Sequence, residues 1–248
     1  MLRSLLKILY QPYKWLIYIP FLAINTLIFG LLALIFSVLF NAKVGSYVGG
    51  VLWSRLNASL VPMLVKVTGR ENIQKGTSYI VLTNHQSAYD IFLVYGWLGI
   101  DLKWVMKKEL RKVPGIGFGS EKVGHIFLDR SNSRAALESL NKAKKKLVKG
   151  TSVVIFPEGT RSKTGKPGPF KRGAFKLALD LELPILPVTL VGTYKILPTN
   201  SMNILPGKVK MIIHEPIEIS GYDEKNMKAL IDKTRDVICS SLPETDPG

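Results

Sequence analysis

Hydrophobic positions follow two different rules along this chain. From Trp15 to Ala42 no residue is charged, and between Phe21 and Phe40 only Asn25, Thr26 and Ser37 break an apolar run. As a helix rising ~1.5 Å per residue, that stretch reaches roughly 42 Å, against a bilayer hydrocarbon core of about 30 Å. It is too long for a signal-peptide core, and no small-residue cleavage site follows it. Residues 44–65 form a second, mostly apolar segment that carries three glycines and Arg55 near its middle. An arginine at mid-bilayer costs at least ~2.5 kcal/mol, so this segment is a poor independent span. The pattern predicts a two-helix membrane anchor over residues 1–66, the glycines letting the second helix pack closely on the first. Both helices cross as a hairpin, or both dip into one leaflet with Lys43, Arg55 and Lys66 reaching headgroups. Pro20 and Arg55, which spoil clean spanning helices, favour the second arrangement.

From about Val67 the period changes. Short β-rich runs (SYIVLT, DLKWVM, GHIFLD, TSVVIF, LPILPVTL, KVKMIIH) alternate with helical stretches, the longest being SRAALESLNKAKKKLVKG. This predicts an α/β domain over residues 67–248, with a mixed, mostly parallel sheet covered by helices. A last helix over residues 223–242 sets Met227, Leu230, Ile231, Thr234, Val237 and Ile238 on one face.

Charge narrows the partners. The 248 residues hold 34 Lys and Arg against 18 Asp and Glu, a formal net charge of +16. Such a surplus calls for anionic partners, and an apolar front end turns the choice toward an acidic membrane surface and away from nucleic acid. The lone cysteine, Cys239, excludes an intrachain disulfide and a cysteine-rich metal site, and its helical phase reads as core filler. The run Lys142 to Lys146 reads as a solvated helix face that can also touch anionic lipid.

Candidate chemistry sits at the ends of the strands. In Val81-Leu82-Thr83-Asn84-His85-Gln86-Ser87-Ala88-Tyr89-Asp90 a buried strand empties into a turn and a helix, which places His85 just past a strand's carboxyl end. Ligands of open α/β sheets bind at such ends. Asp90 can fold back onto one imidazole nitrogen and leave the other free to take a proton, an oriented general base. A histidine and an aspartate that merely cap the helix are the alternative. Residues 156–173, FPEGTRSKTGKPGPFKRG, form a second loop at another strand's end and mix Arg161, Lys163, Lys166, Lys171 and Arg172 with glycines and prolines. Glycine admits an anion to the backbone and arginine offers a two-pronged fork for phosphate oxygens; a plain basic surface loop is the competing account. Lys107 and Arg130 follow two further strands, and cations from three strand ends can surround a phosphate monoester. A metal site built from His85, Asp90 and Glu158 would lack a second nearby histidine.

Four blocks carry a resemblance: Asn84-His85-Gln86-Ser87 with Asp90; Gly124 to Arg130; Phe156-Pro157-Glu158-Gly159-Thr160-Arg161-Ser162; and Leu183-Pro184-Ile185-Leu186-Pro187-Val188. In order and spacing they resemble the glycerolipid acyltransferase family, and within it the bacterial 1-acyl-glycerol-3-phosphate acyltransferases. The resemblance implies that His85 is the general base, oriented by Asp90. It would deprotonate the sn-2 hydroxyl of lysophosphatidic acid as that oxygen attacks an acyl-CoA or acyl carrier protein thioester. It also implies an acceptor phosphate bound by Arg130, Glu158, Gly159, Thr160 and Arg161, with Lys107 assisting; Glu158 reads as holding the loop's shape. Pro187 would shape the wall near the acyl donor, and backbone N–H groups at the His85 turn would meet the oxyanion. No cofactor beyond the acyl donor is implied. The expected location is the cytoplasmic face of the inner membrane, with membrane lipids as partners and no nucleic acid.

Overall fold

The computed structural model describes residues 2–128 and 150–243. Among these, β1 (Met63–Thr68), β2 (Ile80–Thr83), β3 (Asp101–Lys107), β4 (Ile126–Leu128), β5 (Thr151–Ile155), β6 (Ile185–Val191) and β7 (Gly207–Ile213) form one sheet in the order β1-β7-β6-β2-β5-β3-β4. Strands β2 to β6 run parallel to one another, while β7 and β1 run the other way. Central β2 is buried at every position and β6 at nearly every one, as continuous apolar runs covered on both faces must be. The carboxyl ends of β2, β3 and β5 therefore open on one edge, and the loops bearing the first and third sequence blocks leave from there, whereas the second block runs into β4 and the fourth enters β6 at its amino end. Six strands lie where the apolar runs place them. The long helix expected after β4, with its lysine run, lies outside the described residues.

Two cores flank the sheet. On one face Ile80, Leu82 and Ile185 pack under Phe175 of the helix Arg172–Leu181 and under Leu230 and Ile238 of the helix Met227–Ser240. On the other, Val81, Leu186 and Met211 meet Leu93, Trp104 and, from the N-terminal region, Tyr18 and Ala58. Cys239 is only half-buried.

The N-terminal region departs from expectation in three ways. First, the helix does not break at Pro20. It runs through Leu2–Tyr13, a π turn at Lys14–Tyr18, and Ile19–Leu39, the wider turn absorbing the proline just after it. Among the described residues this is the one helix long and apolar enough to cross a membrane, over Ile8–Leu39. Second, the second helical segment (Ala42–Ser46, Tyr47–Leu52, Trp53–Leu60) stops early, because Met63 to Lys66 belong to β1, in register with β7. The last residues of the expected anchor segment, Met63 to Lys66, are thus part of the sheet, and Lys66 takes an exposed position in it. Third, Arg55, though exposed, is tied to a core helix. Its Nε donates to the Gly96 carbonyl at 2.8 Å, closing the last turn of the helix Tyr89–Trp97.

The two helices are held by small residues and polar pairs. A Cβ on Gly45 would stand 1.9 Å from Ser37 Oγ, and one on Gly49 2.3 Å from Ala33 Cβ. Asn25 and Asn57 exchange side-chain hydrogen bonds at 2.9 and 3.1 Å, and Trp53 donates to Thr26 Oγ1. The polar interruptions of the apolar run thus face its partner helix. Gly49→Leu is expected to force the helices apart at a cost of about 1–3 kcal/mol, read as a lower unfolding midpoint of the full chain in detergent. An unchanged midpoint would count against this packing.

Candidate active site

Strand β2 delivers its end to a pinned turn. The Asn84 side chain donates to the Leu190 carbonyl at 2.9 Å and accepts from its N–H at 2.8 Å, so the end of β2 is locked to β6. Ser87 Oγ accepts from Tyr89 N–H at the start of the next helix and donates to the Leu197 carbonyl. It is a cap, with its hydroxyl engaged. Asp90, in that helix's first turn and wholly buried, folds back. Its Oδ2 accepts from His85 Nδ1 at 2.8 Å and from the backbone N–H groups of Gln86 and Ser87 at 2.6 and 2.8 Å. The carboxylate therefore does both things the sequence left open: it fixes the turn and it holds the imidazole. With Nδ1–H given to Asp90, Nε2 keeps its lone pair. The ring is stacked on Phe156, centroids 3.7 Å apart and planes 13° from parallel. That contact, which leaves little rotational freedom, gave no sequence signal beyond an aromatic in the third block.

The second loop is sewn onto this turn. Glu158 is buried and accepts the His85 N–H on one oxygen and the Gly168 N–H on the other, both at 2.8 Å. Burial raises its pKa, and the two N–H bonds oppose that shift. A buried carboxylate engaged in this way shapes the loop and does not grip a phosphate. Ser162 N–H donates to the His85 carbonyl at 2.7 Å, and the Thr199 hydroxyl lies 2.7 Å from Ser162 O and 3.3 Å from Gln86 O, bridging both segments. Gly159 has φ 74°, the left-handed geometry that glycine adopts without strain.

His85, Lys107, Gly159, Thr160 and Arg161 line one cavity of about 770 Å³. The imidazole and the guanidinium thus share a space. The cavity continues between Trp104 and the two N-terminal helices, where Phe29, Gly30, Ala33 and Gly50 give it an apolar wall. Arg130 lies outside the described residues. Pro187 is not among the residues that line the cavity; it is buried within β6, in register with Leu82, and its carbonyl accepts the His214 N–H at 3.0 Å just past β7. The expected oxyanion donors also fail in part, because the N–H groups of His85, Gln86 and Ser87 are all engaged internally. Thr199 and Asn200, the latter at φ 60°, line the cavity unheralded by any motif. Among the described residues no cluster of three His, Cys, Asp or Glu side chains could hold a metal.

Away from the loops, the cavity wall carries a buried polar chain. Trp104 N–H donates to His125 Nδ1 at 3.3 Å, His125 Nε2 lies 3.2 Å from Tyr95 Oη, and Tyr95 Oη lies 2.7 Å from Ser46 Oγ. Burial, with the Lys103 charge, pushes His125 down to about 3. A depressed base leaves the folded state unprotonated where the unfolded chain already binds a proton. Its contribution to stability is therefore complete above about 6.5 and is lost as pH falls toward about 3. His125→Asn, which keeps an acceptor for Trp104 N–H, should flatten the fall of the unfolding midpoint across that window. A parallel fall in both proteins would assign the acid sensitivity elsewhere.

An open, mostly parallel α/β sheet with an oriented histidine and a cationic loop at its carboxyl edge defines a group-transfer site. The acyltransferase family model matches residues 64–191, and the chain belongs to that family. It is 38% identical over 194 residues to the chloroplastic 1-acyl-sn-glycerol-3-phosphate acyltransferase BAT2 of Brassica napus, covering 77% of this chain and 54% of that protein. The 1-acyl-sn-glycerol-3-phosphate acyltransferase of Limnanthes douglasii is 32% identical, with coverages of 80% and 69%. The crystal structure of PlsC, the 1-acyl-sn-glycerophosphate acyltransferase of Thermotoga maritima, superposes with a TM-score of 0.69 at 27% identity, over 91% of this chain and 99% of that one. The chain spans about half the length of the two plant relatives it matches at 37% and 38% identity.

Proposed function

We propose that this chain is a 1-acylglycerol-3-phosphate O-acyltransferase that moves an acyl group from acyl-CoA or acyl carrier protein to the sn-2 hydroxyl of lysophosphatidic acid, giving phosphatidic acid. The observation that carries this is the shared cavity, with a carboxylate-held imidazole, a guanidinium and an apolar wall made by a membrane-type helix. His85 Nε2 takes the hydroxyl proton as the oxygen attacks the thioester carbonyl, and Asp90 stabilises the imidazolium. Collapse of the tetrahedral intermediate breaks the C–S bond, and the thiolate takes the proton back from His85. No acyl-enzyme is required, in keeping with the engaged hydroxyl of Ser87. Arg161 and Lys107, with Gly159 and Thr160, hold the acceptor's phosphate, and Arg130 completes the set. Residues 1–62 anchor the catalytic domain at the cytoplasmic face of the membrane, where both lipids reside, and the positive surface gathers anionic substrate.

Purified full-length protein, given lysophosphatidic acid with acyl-CoA or acyl carrier protein, should release thiol and form phosphatidic acid. Glycerol 3-phosphate and an uncharged lysolipid serve as comparison acceptors. Absence of product with either donor, or equal rates on an acceptor without a phosphate monoester, would overturn the reading.

A further inference from the structure

Between β3 and β4 the chain reads Arg111-Lys112-Val113-Pro114-Gly115-Ile116-Gly117-Phe118-Gly119-Ser120-Glu121-Lys122, in which the uncharged run 113–120, preceded by Arg111 and Lys112 and followed by Glu121 and Lys122, is not used by the proposed chemistry. Phe118 is 78% exposed and Val113 38%, whereas the flanking Gly117 and Gly119 are buried. A whole phenylalanine ring on the surface is not by itself informative; its neighbours are. Gly115 and Gly119 sit directly on the long apolar helix: a Cβ on Gly115 would be 2.9 Å from Leu27 Cα, and one on Gly119 2.8 Å from the Gly30 carbonyl oxygen. Leu27 and Leu31 on that helix are 49% and 57% exposed. Phe118 therefore extends an apolar surface that the helix already presents. At its edge Arg111 is paired with Glu121, but Lys112 and Lys122 are exposed and have no carboxylate partner among the described residues. The inner side of the same segment, through Leu110, Ile116 and Gly119, lines the cavity.

We infer that Val113–Phe118 is a second membrane contact, with Phe118 set among the acyl chains and Lys112 and Lys122 on anionic headgroups. An apolar tip with a cationic rim, continuous with a membrane-type helix, fits an acidic bilayer surface better than a soluble partner. The segment and the helix then hold the cavity against the bilayer from both sides, and a lipid can pass from one to the other without crossing water. This rests on the reading of the N-terminal helix as a membrane anchor.

The test places an environment-sensitive fluorophore at position 118 of the full chain (Phe118→Cys with Cys239→Ala) in phosphatidylcholine–phosphatidylglycerol vesicles, and at Leu31→Cys in a parallel protein. The expected result is a blue shift at both positions and quenching of both by lipids carrying a nitroxide in the upper acyl chain. A quenched label at 31 with a water-like one at 118 overturns the second contact alone, while water-like labels at both overturn the anchor as well. A shift at 118 that vanishes on dilution into excess lipid would assign the patch to a second copy of the chain and equally overturn the inference. Phe118→Ser, outside the catalytic machinery, should slow turnover on vesicles about tenfold, the order expected from losing one phenylalanine's transfer to lipid. Its turnover on a short-chain acceptor dissolved as monomer should match the parent.

Discussion

Replacing His85 by alanine is expected to lower thiol release by at least ~10³-fold, with membrane association unchanged. General-base assistance is worth about 10²–10⁴, and no other described imidazole can take over. His125 is held by Trp104 N–H and Tyr95, and His214 lies 2.8 Å from Thr189 Oγ1, beyond the cavity lining. Asp90→Asn gives a sharper reading. The amide oxygen can still accept the Gln86 and Ser87 N–H groups, so the turn should persist. What is lost is the negative charge that stabilises the imidazolium and selects the Nδ1–H tautomer. The expected outcome is a loss close to that of His85→Ala at an unfolding midpoint near the parent's. If His85→Ala turned over at the parent's rate, the assignment of the base would be lost. If Asp90→Asn were inactive only because it unfolded, the carboxylate's role would be reduced to holding the turn.

The parts of this site that sequence made legible are those where one residue type in one place has few physical uses. The apolar runs that became β2 and β6 are legible because central parallel strands have no solvent face and need no alternation. His85 and Asp90 are legible because a strand end followed by a helix start leaves a five-residue return for the carboxylate. β1 was hidden because MLVKVT follows an apolar helix with only a two-residue break, so hydropathy runs on without a boundary. The Phe156 stack and the Thr199 bridge were hidden for another reason. Each depends on two chain segments meeting, 71 residues apart for His85 and Phe156 and 37 for Thr199 and Ser162, and neither residue type announces its partner. Pro187 gave the sequence little to choose between a donor wall and an ordinary strand proline; it lies buried within β6, off the cavity lining. The loop residue Glu158 could be read as a shaping group because one carboxylate among five cations has more use as a backbone acceptor than as a ligand for an anion.

Arg161→Ala is expected to lower kcat/KM for lysophosphatidic acid by about 10–100-fold, the range for a hydrogen bond to a charged group of ~1.5–3 kcal/mol. The effect should fall mainly on KM, because the phosphate is remote from the carbon that reacts and is held equally in the bound and transition states. The side chain is exposed on the cavity's rim, so the parent's advantage should shrink as salt rises, and the variant should show the weaker salt dependence. Arg161→Lys should recover part of the loss and not all of it, since an ammonium keeps the charge and gives up the two-pronged geometry. The decisive comparison uses an uncharged lysolipid. If Arg161 meets the phosphate, the variant's turnover on that acceptor matches the parent's, and the preference for the charged acceptor collapses from the charged side. An equal loss on both acceptors would mean that Arg161 shapes the loop which Ser162 ties to His85, and the phosphate would have to be sought at Lys107 and Arg130 instead.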